Sequence, residues 1–215
     1  MKTFKVNEVF YSLQGEGRNT GRAAVFIRFA GCNLRCPFCD TEFDSYREMN
    51  EAEILNAIAD YPSSFIVLTG GEPTLQVDEA FVDLLHQHGY EVAMESNGTR
   101  PAPENLDWLT VSPKKSLPQS SSKECGESDA HKNFIRQPDE IKMVFTSASD
   151  IDACLNQFPL SLEGGGGRPL LLYLQPCDTG DAGRNARILK DCIAYIEAHP
   201  QWRLSLQTHK LINIK

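Results

Sequence analysis

Long apolar runs are missing from this sequence. Nothing in its 215 residues approaches the ~20 consecutive apolar residues that cross a bilayer. The opening residues, Met1-Lys2-Thr3-Phe4-Lys5-Val6-Asn7-Glu8, hold no apolar core of the secretory kind, so a cytoplasmic protein is expected. Positive charge is also scarce. The 21 Lys and Arg residues face 29 Asp and Glu, a formal net charge of -8. Phosphate contacts need a basic face, and an anionic membrane surface repels an acidic chain. Neither nucleic acid nor membrane is therefore an expected partner; the ligands should be small or cationic. No internal repeat is present. The rest is ordinary globular material, 41% hydrophobic and 23% charged, enough to enclose one core. The length suits a single domain over 1–215.

Short β-rich runs alternate with amphipathic helical ones. Residues 23–29, 65–69, 91–95, 108–112, 141–145, 170–174 and 203–207 read as strands. Phe65-Ile66-Val67-Leu68-Thr69 is continuous in the way of a strand buried on both faces. One helix is expected from a capping box at Asn50 and Glu53 to about Asp60, with Pro62 as its stop. A second starts at Asp78 and ends at Gly89, and a long one covers about 182–199. Strand–helix alternation implies parallel strands with right-handed crossovers. Six or seven strands are too few for an eightfold barrel. The expected class is α/β: an abbreviated, partial (open) parallel β/α barrel with about six core strands. Residues 115–133, rich in Ser, Lys, Gln and Gly, read as a flexible loop, and the glycines at 164–167 as a loop tip.

Seven cysteines with no export signal should be reduced. Cys125, Cys154, Cys177 and Cys192 are scattered singly. Cys32, Cys36 and Cys39 sit within eight residues, in Gly31-Cys32-Asn33-Leu34-Arg35-Cys36-Pro37-Phe38-Cys39-Asp40, directly after a strand run. Three thiolates from one short loop suit a soft metal centre. A closed zinc site wants four ligands, and neither Cys125 nor His86 completes the usual second pair. A ferredoxin-type site would also show a nearby fourth cysteine. Three ligands on a four-iron cube leave one iron open to a substrate or cofactor. A three-cysteine zinc loop and incidental core cysteines are the alternatives. Polar groups recur at other strand ends, in Thr69-Gly70-Gly71-Glu72-Pro73, Ser112-Pro113-Lys114 and Gln175-Pro176-Cys177-Asp178. Ligands gather at the carboxyl ends of parallel strands, so these segments would line one mouth of the barrel. Ordinary loop initiation is the plainer reading.

The C-x3-C-x2-C spacing, with Phe38 just before the third cysteine, resembles the radical S-adenosylmethionine (SAM) signature. That resemblance implies a [4Fe-4S] cluster whose open iron chelates the amino and carboxylate groups of SAM, reduction then giving methionine and a 5′-deoxyadenosyl radical. Gly70-Gly71-Glu72 resembles the superfamily's GGE element, where backbone meets the SAM amino group. The resemblance puts Phe38 near the adenine and has Gly71, Ser112, Pro113, Lys114, Gln175, Pro176, Cys177 and Asp178 hold the rest of SAM.

Further signatures narrow the choice. Phe10-Tyr11-Ser12-Leu13-Gln14-Gly15-Glu16-Gly17 precedes the run at 23–29, and Phe26-Ile27-Arg28-Phe29-Ala30-Gly31-Cys32 joins that run to the cluster. Cys39-Asp40-Thr41, Glu95-Ser96-Asn97-Gly98-Thr99, Ser112-Pro113-Lys114 and Ser205-Leu206-Gln207-Thr208-His209-Lys210 complete the set. Together they resemble the 7-carboxy-7-deazaguanine synthase family from Asn7 to Ile214. The family's reaction is the ring contraction of 6-carboxy-5,6,7,8-tetrahydropterin with loss of ammonia, toward queuosine, with magnesium required. Arg28 would then take the substrate carboxylate. The pterin edge would meet Gln14, Glu16 and Glu95, with Leu13, Gly15, Thr69 and His209 close by and Gln207 adding a contact from the last strand. The C-terminal residue Lys215 is a further expected substrate contact. Thr41 takes the magnesium position, and Asp40 is either a ligand or a loop-orienting group. A homodimer and an external, flavodoxin-like electron donor are implied. The segment 43–61, read as helical, is short, and the insertion 116–133 matches no motif. A glycyl-radical activating enzyme shares the size and the cysteine spacing; the non-enzyme alternative is a zinc-stabilised binding module.

Overall fold

A computed structural model of the chain describes residues 2–114, 137–157, 164 and 167–215. The expected loop at 115–133, and Gly165 and Gly166 of the glycine run, lie outside the described residues. The strands are β1 (Thr3–Leu13), β2 (Ala23–Phe29), β3 (Arg47–Asn50), β4 (Phe65–Gly70), β5 (Glu91–Ser96), β6 (Trp108–Val111), β7 (Glu140–Phe145), β8 (Leu171–Pro176) and β9 (Trp202–Leu204). The helices are α1 (Glu51–Ile58), α2 (Glu79–Gln87), α3 (Ala148–Gln157), α4 (Ala182–Ala198) and the short α5 (Thr208–Leu211). The nine strands among the described residues form one sheet in the order β3-β1-β2-β4-β5-β6-β7-β8-β9. From β2 through β9, leaving out β3, every pairing is parallel, while β1 pairs antiparallel to both β2 and β3. The sheet ends at β3 and β9 without pairing them, so the barrel is open as expected.

Local chemistry accounts for the element ends. The Glu53 amide donates to Asn50 Oδ1 at 3.0 Å and the Asn50 amide to Glu53 Oε2 at 2.7 Å, the reciprocal box that starts α1. Asp78 accepts from the Phe81 amide at 3.1 Å and starts α2, and Gly89 leaves it at φ +82°. The strands alternate between two faces. Ile27, Phe29, Ile66, Leu68, Met94, Leu109, Ile141, Met143, Leu172 and Leu174 face outward, onto Ile54, Ile58, Phe81, Leu85, Ile151 and Ile188 of the helices. Phe26, Phe65, Val67, Ala93 and Trp108 face inward and, with Phe10, plug the lower barrel. Above that plug the interior turns polar.

Three expectations need correction. The run at 23–29 is not the first strand; β1 precedes it. A register shift between Val6 and Glu8 flips the faces of β1. Phe4 therefore packs outward against Phe29 and Phe81, while Phe10 stacks inward on Phe26 at 4.8 Å. The segment 43–61 is not all helix, because Arg47–Asn50 pairs with β1 as a short charged edge. The last strand stops at Leu204, so Gln207 and His209 belong to the turn and helix beyond it.

Candidate functional site

The cysteine loop leaves β2 at Gly31, whose amide donates to Phe43 O at 2.9 Å and closes the loop at its base. The end of β4 runs directly beneath. Gly71 N donates to Phe29 O at 3.0 Å and Glu72 N to Gly31 O at 2.9 Å. A Cβ on Gly71 would sit 1.9 Å from Gly31 O, so the glycine is required by the loop's own backbone. Glu72 is fully buried, with its carboxylate fully engaged. Oε1 accepts from the Thr74 amide, the Thr74 hydroxyl and Ser96 Oγ, and Oε2 from the Asn97 amide. Glu72 thus joins the ends of β4 and β5 and has no side-chain oxygen to spare.

Cys32 and Cys36 are half-buried and Cys39 is exposed. Burial pushes the thiols of Cys32 and Cys36 up. Donors stand ready for a sulfur anion at Cys32, with Leu34 N 3.4 Å and Asn97 Nδ2 3.9 Å from Sγ. Asn97 also donates to Asn33 Oδ1 at 3.0 Å, tying the end of β5 to the loop. Three sulfurs on one loop fit an iron–sulfur cube, which takes one thiolate per iron and needs no common meeting point. Among the described residues no group of three or more Cys, His, Asp or Glu is arranged to hold one metal ion.

Asp40 is not a spare ligand. Its Oδ2 accepts from Lys210 Nζ at 2.6 Å and Gln207 Nε2 at 3.2 Å. Burial works to raise Asp40, but these partners hold its carboxyl below the ordinary range. Lys210 also reaches Asp178 Oδ2 at 3.3 Å, so one cation links the cysteine loop, α5 and the end of β8.

Beside the loop, at the carboxyl ends of the parallel strands, lies a cavity of about 540 Å³. Every expected site residue lines it except Pro113, which is buried outside it. The segment after β1 spans the open side of the barrel. Gly17 N donates to Ser205 Oγ at 3.0 Å, and the Thr208 amide donates to Gly15 O at 3.0 Å. Gly15 lets His209 close over it, since a Cβ there would meet His209 Nδ1 at 2.1 Å and push the ring aside.

This segment delivers Gln14 and Glu16 to a lysine that the sequence reading did not single out. Lys142 Nζ, on β7, lies 2.5 Å from Glu16 Oε2 and 3.7 Å from Glu95 Oε1. Glu16 Oε1 accepts from Gln207 Nε2 at 2.9 Å and from Gln175 Nε2 at 3.3 Å. Gln14 Nε2 donates to Glu95 Oε1 at 2.9 Å. Burial alone would depress Lys142, but Glu16, Glu95 and Glu140 hold its pKa above the usual lysine value. Burial would likewise raise Glu16, and Lys142, Gln207 and His209 keep it low. Lys114 differs: burial first, then the charge of Lys142, lowers it, and its ammonium donates to Ser112 Oγ at 2.7 Å. Arg28 lies on β2 beside Thr69, over the Phe10 ring, with Glu8 at 3.8 Å. That separation is too long for a hydrogen bond. Lys215 pairs with Glu8, and its carbonyl accepts from Ser12 Oγ at 2.6 Å.

Two positions below Lys142, on the same face of β7, Glu140 accepts from the Arg18 amide at 3.0 Å. Burial pushes its carboxyl from 4.5 up to about 7. A raised acid favours its protonated form in the folded state. The associated stability is complete below pH 4.5 and is lost as pH rises through about 7. The shift corresponds to roughly 3 kcal/mol. Glu140→Gln should therefore raise the melting temperature clearly at pH 8 and hardly at pH 5. Equal gains at both pH values in thermal melts would remove this account.

A family model described as the Radical SAM superfamily matches residues 26–113, from β2 through the cysteine loop to the turn after β6. The chain is 43% identical over 211 residues to the 7-carboxy-7-deazaguanine synthase of Bacteroides thetaiotaomicron, covering 98% of each chain. It is 39% identical over 238 residues to the protein of that name from Nitratidesulfovibrio vulgaris, covering 99% of each. Its fold is similar to the crystal structure of QueE from Escherichia coli, with a TM-score of 0.71 at 29% identity over 95% of this chain and 93% of that one.

Proposed function

The chain belongs to the 7-carboxy-7-deazaguanine synthase family of the radical SAM superfamily, and from that premise we propose which of its residues carry the reaction. The enzyme contracts the ring of 6-carboxy-5,6,7,8-tetrahydropterin to give 7-carboxy-7-deazaguanine with release of ammonia, in 7-deazapurine and queuosine biosynthesis. Membership implies a [4Fe-4S] cluster and SAM. Cys32, Cys36 and Cys39 hold that cluster, which with SAM supplies the one-electron chemistry that makes a 5′-deoxyadenosyl radical. The observation that carries this reading is three free thiols on one loop that line a large cavity at the carboxyl ends of the parallel strands.

Phe38, Gly71, Ser112, Lys114 and the segment Gln175 to Asp178 form the wall for SAM, with Pro113 fixing the backbone between two of its contacts. Arg28 takes the substrate carboxylate through its planar fork. Gln14, Glu16, Thr69 and Glu95 meet the ring edge, and Leu13, Gly15, His209 and Lys215 complete its surroundings. Arg28→Ala should raise the pterin KM roughly 10- to 100-fold, as loss of a charged hydrogen-bond pair does. The SAM KM should stay within about twofold; equal losses for both ligands would move Arg28 out of the substrate site.

Thr41 is the magnesium position. One hydroxyl binds such an ion weakly, so substrate oxygens and water complete the shell and the metal orients the pterin. Removing magnesium should slow the wild type but leave Thr41→Ala unchanged, and an intact metal response in that variant would dismiss Thr41. The enzyme is a single domain acting as a homodimer in the cytoplasm, where reduced cysteines persist, and takes its electron from a flavodoxin-like donor. No helix among the described residues is long and apolar enough to cross a membrane. The deciding assay supplies anaerobically reconstituted protein with reductant, SAM, magnesium and the carboxypterin. Ammonia and a deazapurine of the right mass are expected; SAM consumption without either would overturn the assignment.

A further inference from the structure

Lys142 lies in a strand that otherwise reads as wall material, Glu140-Ile141-Lys142-Met143-Val144-Phe145. Its side chain is 7% exposed yet reaches the cavity floor. A buried ammonium at such a place needs anions around it, and Glu16 and Glu95 supply them from two other elements.

The two carboxylates are not equivalent. Glu16 is the more heavily engaged: Oε2 takes Lys142, and Oε1 takes Gln175 and Gln207. Glu95 is held from one side only. Oε1 meets Gln14 at 2.9 Å and Lys142 at 3.7 Å, whereas among the described residues Oε2 meets only Thr69 Oγ1 at 3.5 Å, too long to satisfy a carboxylate oxygen. One anionic oxygen therefore retains acceptor capacity in the cavity, while the other end of its carboxylate is pinned.

Resting on the function proposed above, we propose that Lys142 is a positioning residue for substrate selection. Its charge, 3.7 Å away, draws Glu95 Oε1 to the side where Gln14 hydrogen-bonds it, and so aims Glu95 Oε2 at the donor edge of the pterin, the 2-amino group and its neighbouring ring N–H. An oxygen fixed in this way rejects a ring that presents a carbonyl at that edge, because two acceptors then face each other with nothing between them. Glu16 serves as the counter-charge that keeps Lys142 in the floor.

Lys142→Met alone leaves two carboxylates facing each other in a buried floor, so the test pairs it with Glu16→Gln and takes Glu16→Gln as the reference. Reconstituted holoenzymes are compared for thermal melting, for SAM cleavage with dithionite in the absence of pterin, and for KM and kcat. Substrates are the carboxypterin and its 2-oxo analogue, in which a carbonyl replaces the 2-amino group. The double variant should melt with the reference and cleave SAM at the same rate. Its carboxypterin KM should rise roughly 10- to 100-fold and its preference over the 2-oxo analogue fall by a similar factor. A double variant that matches the reference in KM and preference makes Lys142 a mere counter-charge and overturns the proposal. Wild-type holoenzyme that fails to cleave SAM would overturn the radical SAM reading itself, and this inference with it.

Discussion

Cys36→Ala is expected to leave a folded, colourless protein that neither holds iron nor cleaves SAM above background. Cys36 sits in the loop after β2, half-buried and away from the residues that bind the sheet to its helices. Truncating it removes little packing, so the melting temperature of the apoprotein should move by no more than a few degrees, the scale of about 1 kcal/mol in a protein this size. The chemistry has no such tolerance. The proposed donor set is the three sulfurs of this loop, and among the described residues no other group of three Cys, His, Asp or Glu is arranged to hold a metal ion. Iron and sulfide content, visible absorbance and SAM cleavage after anaerobic reconstitution check this directly. A variant that still cleaves SAM normally would end the cluster assignment.

Gly71→Ala should damage both fold and cluster, for the opposite reason. Its Cβ would lie 1.9 Å from Gly31 O and 3.1 Å from Cys32 Cβ, and a backbone oxygen cannot swing aside. Either the end of β4 or the root of the cysteine loop must move, breaking the bonds from Gly71 N to Phe29 O and from Glu72 N to Gly31 O. Overpacking of this kind costs about 3 kcal/mol, and the displaced loop no longer presents Cys32 in register with its neighbours. A lower melting temperature together with a reduced iron content is expected. Wild-type values for both would show that the contact relaxes harmlessly.

Much of this was legible beforehand because it rests on local chemistry. The seven parallel strands announce themselves as short apolar runs, and the capping residues Asn50, Asp78 and Gly89 act within a turn of where they stand. Strand β1 was not legible because its extra residue reverses inside and outside midway, so no single alternation covers Thr3–Leu13. Strand β3 is four residues with one buried side chain, too short to carry a pattern. The loop that carries Cys32, Cys36 and Cys39, and the strand ends around the cavity, could be read from spacing. What holds them could not. Lys142 looks like an oddity in an apolar strand until Glu16 and Glu95 arrive from distant segments. Asn97 and Lys210 lie within recognised signatures, but their ties to Asn33, Asp40 and Asp178 exist only once the chain is folded.

The order of synthesis follows from how the open side of the barrel is bridged. Sheet strands can pair one after another as the nascent polypeptide emerges, since most are neighbours in the chain. The bond between Gln207 and Glu16 joins positions 191 residues apart, and contacts of such separation form late. A ribosome paused before residue 205 would carry the scaffold, the cysteine loop and the Lys142, Glu16 and Glu95 cluster, but not the Ser205, Gln207 and Thr208 contacts that hold the segment after β1 across the opening. The brace across the barrel mouth thus closes after the groups it steadies are already in place.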